Sequence, residues 1–123
     1  MFSILFPRYG GKVMVHSQFI KTVTSALDLS KTDAEILKAL ITKKSGLLIS
    51  EITEYIKRSE RNVRNRLDLL IKKGLLKKEV EVLSNKRLAH KYSLVPVEKI
   101  VEEAKNHLIK KIGKLNNLLH FND

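Results

Sequence analysis

Ser59-Glu60-Arg61-Asn62-Val63-Arg64-Asn65-Arg66-Leu67-Asp68-Leu69-Leu70-Ile71-Lys72-Lys73-Gly74-Leu75 is the stretch on which the reading of this chain turns. Val63, Leu67, Leu70 and Ile71 fall at i, i+4, i+7 and i+8, which on a helix makes one apolar stripe. Ser59 stands where a side-chain oxygen can accept an amide of the first turn, and Gly74 stands where a helix is commonly closed. The spacing therefore predicts a helix over 60–73. Arg61, Asn65, Asp68 and Lys72 lie opposite the stripe, with Asn62 and Arg64 on its flanks. The stripe needs other helices to cover it, and the Arg/Asn face is left outward.

Upstream, Lys57-Arg58-Ser59 reads as a tight turn after a helix over about 51–57, capped by Ser50, with Ile52, Tyr55 and Ile56 inward. Leu47–Ile49 is a very short strand. Thr32 and Glu35 have the spacing of a capping box. They open a helix over about 33–44, with Ile36, Leu37, Leu40 and Ile41 inward and Gly46 as its C-cap. A further helix, 16–29, carries Phe19, Ile20, Val23 and Leu27. Downstream, Leu75–Leu83 and Leu88–Val95 alternate as two strands, with Leu88, His90, Tyr92 and Leu94 on one side of the second and His90 in or beside the hairpin core. The polar turn Ser84–Arg87 joins them, with Asn85 suited to a positive φ. Pro96 ends the hairpin and a last helix runs over about 97–119. The expected fold is mainly α with a small β-hairpin (α+β): a winged helix-turn-helix with flanking N- and C-terminal helices. Residues 1–15 read as an N-terminal extension, 16–95 as the winged-helix domain and 96–123 as a C-terminal helix.

The chain has 123 residues, 43% apolar and 30% charged, enough for one domain with a core. It contains no cysteine, which excludes disulfides and thiolate chemistry. Net charge is +11, and the segment 57–78 alone carries +7 of it. A charge concentrated in this way is a docking surface for a polyanion. Arg and Asn bond base edges bidentately, and the first turns of the second helix of a helix-turn-helix enter the major groove. Duplex DNA is therefore the expected partner. Arg58, Ser59, Arg61, Asn62, Arg64, Asn65, Arg66, Lys72 and Lys73 are the candidate contacts of the helix, and Lys86 and Arg87 those of the wing, at 83–88. Glu60 and Asp68 are expected to pair with Arg64 and Lys72 at i+4. Neither the helix nor the hairpin tip carries an aromatic residue for stacking single-stranded RNA. The alternative is a winged helix that serves as a protein-interaction or architectural chromatin module.

No enzyme is expected. His16, His90, His107 and His120 are scattered, and Gly10-Gly11-Lys12 lacks the spacing of a phosphate loop, so no metal or cofactor is assigned. No segment approaches the roughly 18 apolar residues of a membrane span, nor reads as a signal peptide. A cytoplasmic, nucleoid-associated protein with no membrane partner is the expectation.

The last helix carries a stripe at Val97, Val101, Ala104, Leu108, Ile112, Leu115 and Leu119, stepping by three and four like a coiled-coil seam. It is longer than the winged-helix core can cover, so a homodimer is expected, with Phe19 and Val23 of the first helix alongside. Gly113 lies within it, where glycine costs about 1 kcal/mol relative to alanine. It marks a kink or a close helix crossing.

Leu29–Lys99 resembles the DNA-binding domain of archaeal TrmB-like regulators and, more distantly, that of MarR regulators. The resembling residues are Leu29-Ser30-Lys31-Thr32-Asp33-Ala34-Glu35-Ile36-Leu37, Arg61–Leu67, Leu70-Ile71-Lys72-Lys73-Gly74-Leu75 and Tyr92-Ser93-Leu94-Val95-Pro96. The resemblance implies a transcriptional regulator with Ser59, Arg61, Asn62, Arg64 and Asn65 where that family reads DNA. No sugar-sensing domain follows the last helix, so a small-molecule effector is not expected.

Overall fold

A computed structural model describes residues 11–122, with side chains from His16 to Leu119. Its elements, in order, are α1 Gly11–Ala26, α2 Lys31–Thr42, β1 Leu47–Leu48, α3 Ile49–Ile56, α4 Glu60–Lys72, β2 Leu76–Val82, β3 Leu88–Leu94 and α5 Val97–Asn122. The strands form one antiparallel sheet in the order β1-β3-β2. Leu47 stands opposite Tyr92, Leu76 opposite Leu94 and Val82 opposite Leu88. The fold is a winged helix: α3 and α4 make the helix-turn-helix, and β2 and β3 make the wing. α1 starts at Gly11, so residues 11–15, expected in an extension, are its first turns. Residues 1–10 lie outside the described residues.

The caps explain where the helices begin and correct two expectations. α2 opens on Ser30 and not on Thr32. The Asp33 amide donates to Ser30 Oγ at 3.1 Å, and the Ser30 amide donates back to the Asp33 carboxylate at 3.0 Å. Both frames offer a hydroxyl followed three residues later by an acid. The Ser30 frame places Asp33 where its carboxylate also meets a cation from α4. α3 begins at Ile49, because the Leu48 amide donates to Glu51 Oε1 at 2.8 Å, leaving Ser50 inside the helix. Its inward side runs through the partly buried Ile49 and the buried Ile52 and Ile56. Tyr55, expected inward, lies beyond the edge of that arc and is exposed.

Two glycines are required by geometry. α4 closes in a Schellman arrangement, with the Gly74 amide donating to Ile71 O at 2.9 Å and the Leu75 amide to Leu70 O at 3.0 Å. Gly74 has φ +80°, which a side chain would strain. Gly46 is not the cap of α2, which ends on Lys43. It closes the turn into β1 at φ +96°, where a Cβ would stand 2.8 Å from the Tyr92 carbonyl oxygen. In the wing turn the positive φ belongs to Lys86 and not to Asn85. Asn85 builds that turn through its side chain, accepting the Arg87 amide at 3.0 Å.

Ile36, Leu37, Leu40, Ile52, Val63, Leu67, Leu70 and Leu75 are fully buried and form the centre of the core. The α4 stripe thus packs as its spacing predicts. Ile20 and Val23 of α1, Leu27 in the turn after it and Ile100 of α5 complete the same cluster. The last helix is therefore rooted in the domain that 16–95 was expected to form alone. Val23, expected at a dimer seam, is a core residue, because α1 turns that face toward α2. Phe19 and Ala104 pack on the core's edge.

Candidate nucleic-acid interface

α4 is held by its buried stripe and by two ion pairs, and those pairs sort its cations into two kinds. Arg66 Nε and Nη2 donate to the two oxygens of Asp33 at 2.7 and 2.6 Å. Asp33 is 0% exposed. Burial works against its charge, but the Arg66 guanidinium and the Ser30 amide outweigh that and hold the carboxyl below its ordinary 3.8. Arg66, expected to contact DNA, is instead turned toward α2 and bound there. Arg58 is likewise drawn across the turn, where Nε and Nη2 both donate to Glu35 Oε1 at 3.2 and 2.8 Å. Arg66 ties α4 to α2, and Arg58 ties the turn before α4 to the same helix.

The rest of the N-terminal turns face outward. Ser59 Oγ accepts the Asn62 amide at 3.2 Å, so its hydroxyl caps the helix and its own proton stays free to donate. Arg61, Asn62 and Asn65 are exposed and, among the described residues, none of their side chains has an ion pair or hydrogen bond. Arg64 reaches Glu60 at 3.5 Å, the i+4 pair expected. Asp68 makes no ion pair with Lys72 among the described residues. It stands close enough to the hydroxyl of Tyr92 to add to the effect of partial burial in pushing that group up, against a smaller opposing pull from Arg64. Lys72 and the half-buried Lys73 lie at the far end of α4, about 16 Å along its axis from Arg61. They do not join the Arg61–Asn65 cluster.

The wing forms the other wall. A groove of about 420 Å³ runs between α4 and the hairpin, lined by Arg64 and Asp68 on one side and Lys78, Leu88, His90 and Tyr92 on the other. Lys86 and Arg87 are exposed at the tip. Lys78 and His90 were not in the expected contact set. Their signal was the hairpin register, which sets Lys78 opposite Tyr92 and His90 opposite Val80 on the side facing α4. His90, expected near the hairpin core, is exposed, because the strands run out past the cover of α4. Among the described residues no three His, Asp or Glu gather as a metal site, and no helix is long and apolar enough to cross a membrane.

α5 has 26 residues, roughly 39 Å of helix. Lys111 Nζ at 2.6 Å and His107 Nε2 at 3.2 Å meet Asp28 Oδ2 and tie the middle of α5 to the turn after α1. Hydrogen bonds from Lys111 and then His107 hold the Asp28 carboxyl below its ordinary range. Of the expected seam, Val97, Val101, Leu108, Ile112, Leu115 and Leu119 are exposed, as are Ile109 and Leu118. From Leu108 to Leu119 every residue is exposed.

No family model and no curated protein matches this chain. Solved structures share its fold. A possible transcriptional regulator from Methanosarcina mazei Go1 aligns at TM-score 0.70 and 16% identity, over 82% of this chain and 86% of that one. The S. aureus MepR–DNA complex aligns at 0.56 and 18%, over 91% and 97%. A MarR-family transcriptional regulator from Silicibacter pomeroyi aligns at 0.51 and 18%, over 87% and 82%. The chain has the fold of MarR-type winged-helix regulators.

Proposed function

We propose that this chain is a dimeric transcriptional regulator of TrmB-like or MarR-like type that reads duplex DNA in sequence-specific fashion. The N-terminal turns of α4 enter the major groove, and the wing lies on the backbone or in the minor groove. The observation that carries this reading is the division of the arginines. Arg58 and Arg66 hold the helix, while Arg61 and Asn65 face outward with no partner among the described residues. Arg and Asn are the side chains that pair bidentately with guanine and adenine edges. Ser59, Asn62 and Arg64 flank them for phosphate or base contact, and the start of a capped 13-residue helix favours a phosphate beside it. The DNA complex of MepR, similar in fold, supports the same use here. Such a protein acts at the nucleoid.

Arg61→Ala or Asn65→Ala should lose about 1–3 kcal/mol on a selected site and clearly less on random DNA. Binding titrations with both duplexes measure the difference. Equal losses on every sequence would reduce these residues to phosphate contacts and favour the architectural reading.

Lys86→Ala with Arg87→Ala should weaken all sequences alike and lower the slope of log affinity against log salt by about 2. A slope left unchanged would remove the wing tip from the DNA.

A further inference from the structure

Side chains of a strand alternate between its two sides, and directly opposed residues of antiparallel strands share one side. Lys78, Val80 and Val82 of β2 therefore share a face with Tyr92, His90 and Leu88 of β3. The other face carries Lys77, Glu79, Glu81 and Lys91, with ion pairs Lys77–Glu79 at 3.7 Å and Lys91–Glu81 at 3.6 Å. At the base of the hairpin the first face is core, where Leu76 and Tyr92 are buried. Further out it carries an apolar row, Val80, Val82 and Leu88, beside His90, and no described residue covers that row. Val80 is 61%, Val82 67% and Leu88 70% exposed. A hairpin built only to be solvated would place its polar side chains there. This one keeps an apolar row on the side that faces α4 and a charge-balanced surface on its back.

The surroundings of the row identify what it meets. Arg64 and Lys78 stand in the groove walls, His90 lies between Lys78 and Leu88, and Lys86 and Arg87 lie at the tip. The acid Asp68 sits at the inner end, beside Tyr92. An occupant that offers apolar surface and anions in regular alternation fits such a wall, and the sugar-phosphate backbone has that chemistry. A carboxylate there would repel phosphates from the floor of the groove and leave them to the cations of its walls. We propose that Val80, Val82 and Leu88 pack on the deoxyribose rings of one DNA strand lying between α4 and the wing, its phosphates flanked by Arg64, Lys78 and Lys86. The inference rests on the duplex-DNA reading above and adds to it an uncharged contact that works on any sequence.

The test separates this contact from the others by its signature. Val82→Thr with Leu88→Thr keeps residues suited to strands and changes no charge. Binding to random-sequence and selected duplexes should weaken equally, by about tenfold, with the salt slope unchanged, because removing apolar contact releases no fewer counterions. Val82→Ile with Leu88→Ile should bind like the unaltered protein, and thermal melts of both pairs should match it. The proposal is overturned if the threonine pair binds as tightly as the native protein. It is also overturned if that pair flattens the salt slope, if the isoleucine pair loses the same affinity, or if the threonine pair alters only self-association, which would give the row to a protein partner. A native protein that binds no duplex at all would instead overturn the DNA reading itself.

Discussion

Asp33→Ala should cost about 3 kcal/mol of stability, the largest loss expected from any single polar side chain here. Two effects combine. The Ser30–Asp33 capping box is broken, at about 1 kcal/mol. Arg66, whose side chain is 30% exposed, is left half-buried without its carboxylate. Urea denaturation near neutral pH measures the sum. Asp33→Ala with Arg66→Met should recover part of the loss, because no uncompensated charge then remains. The pH dependence has a definite sign. The Asp33 carboxyl is held below its ordinary 3.8, so between the folded and unfolded values the unfolded chain binds more protons and stability rises with pH. Its contribution is complete above pH 3.8 and is lost as pH falls through the lower, folded value. The gap between native and Asp33→Ala proteins should therefore stay constant near neutrality and close below pH 3.8. A variant that melts like the native protein would show that the pair carries no weight.

Leu108→Glu with Ile112→Lys should convert a homodimer to monomers and weaken binding to a full site by a hundredfold or more. Leu108 and Ile112 are exposed on the seam side of α5, beyond the residues that root the helix in the core. The two new side chains, Glu before Lys at i+4, favour the helix itself, so an effect on assembly is not an effect on helicity. One recognition helix spans only a few base pairs. Two in a symmetric pair read half-sites about 34 Å apart, which multiplies their affinities. Sedimentation and titration on full and half sites measure both consequences. A native protein that sediments as a monomer at micromolar concentration, and binds a half site as tightly as a full one, would assign the exposed stripe to another purpose.

The helix that reads DNA on this account is the part most legible in the sequence. The α4 stripe, its serine cap and the glycine after it are local signals, and each appears in the structure. The hairpin was legible for the same reason, since alternation and a polar turn are properties of adjacent residues. The allocation of charge was not. Arg66 and Asp33 are 33 residues apart, and only the packing of α2 on α4 brings them together. A trace of that pairing was present: Asp33 lies four residues before Leu37 and seven before Leu40, on the buried line of its own helix. An acid on that line needs a cation, and Arg66, beside the stripe of α4, is the one placed to supply it. The apolar positions of α5 mislead for a different reason. One helix there faces two environments, the core through Ile100 and Ala104 and open solvent through Leu108 to Leu119. A periodic pattern records that both are apolar and not which partner each one meets.

Beyond Lys111 the described side chains of α5, Ile112 to Leu119, are all exposed, and a Cβ added at Gly113 would have no neighbour within 4 Å. A helical segment of this length is marginal in water on its own, and an unshielded glycine weakens it further. On the dimer reading, the apolar face of these turns is covered only when two copies meet. The amount of protein in the cell then becomes a regulatory variable. A scarce chain is a folded body with a bare apolar stripe, and an abundant one covers it. Occupancy of a full site would then rise more steeply than in proportion to the number of chains, giving a threshold in which the protein's own abundance is the signal.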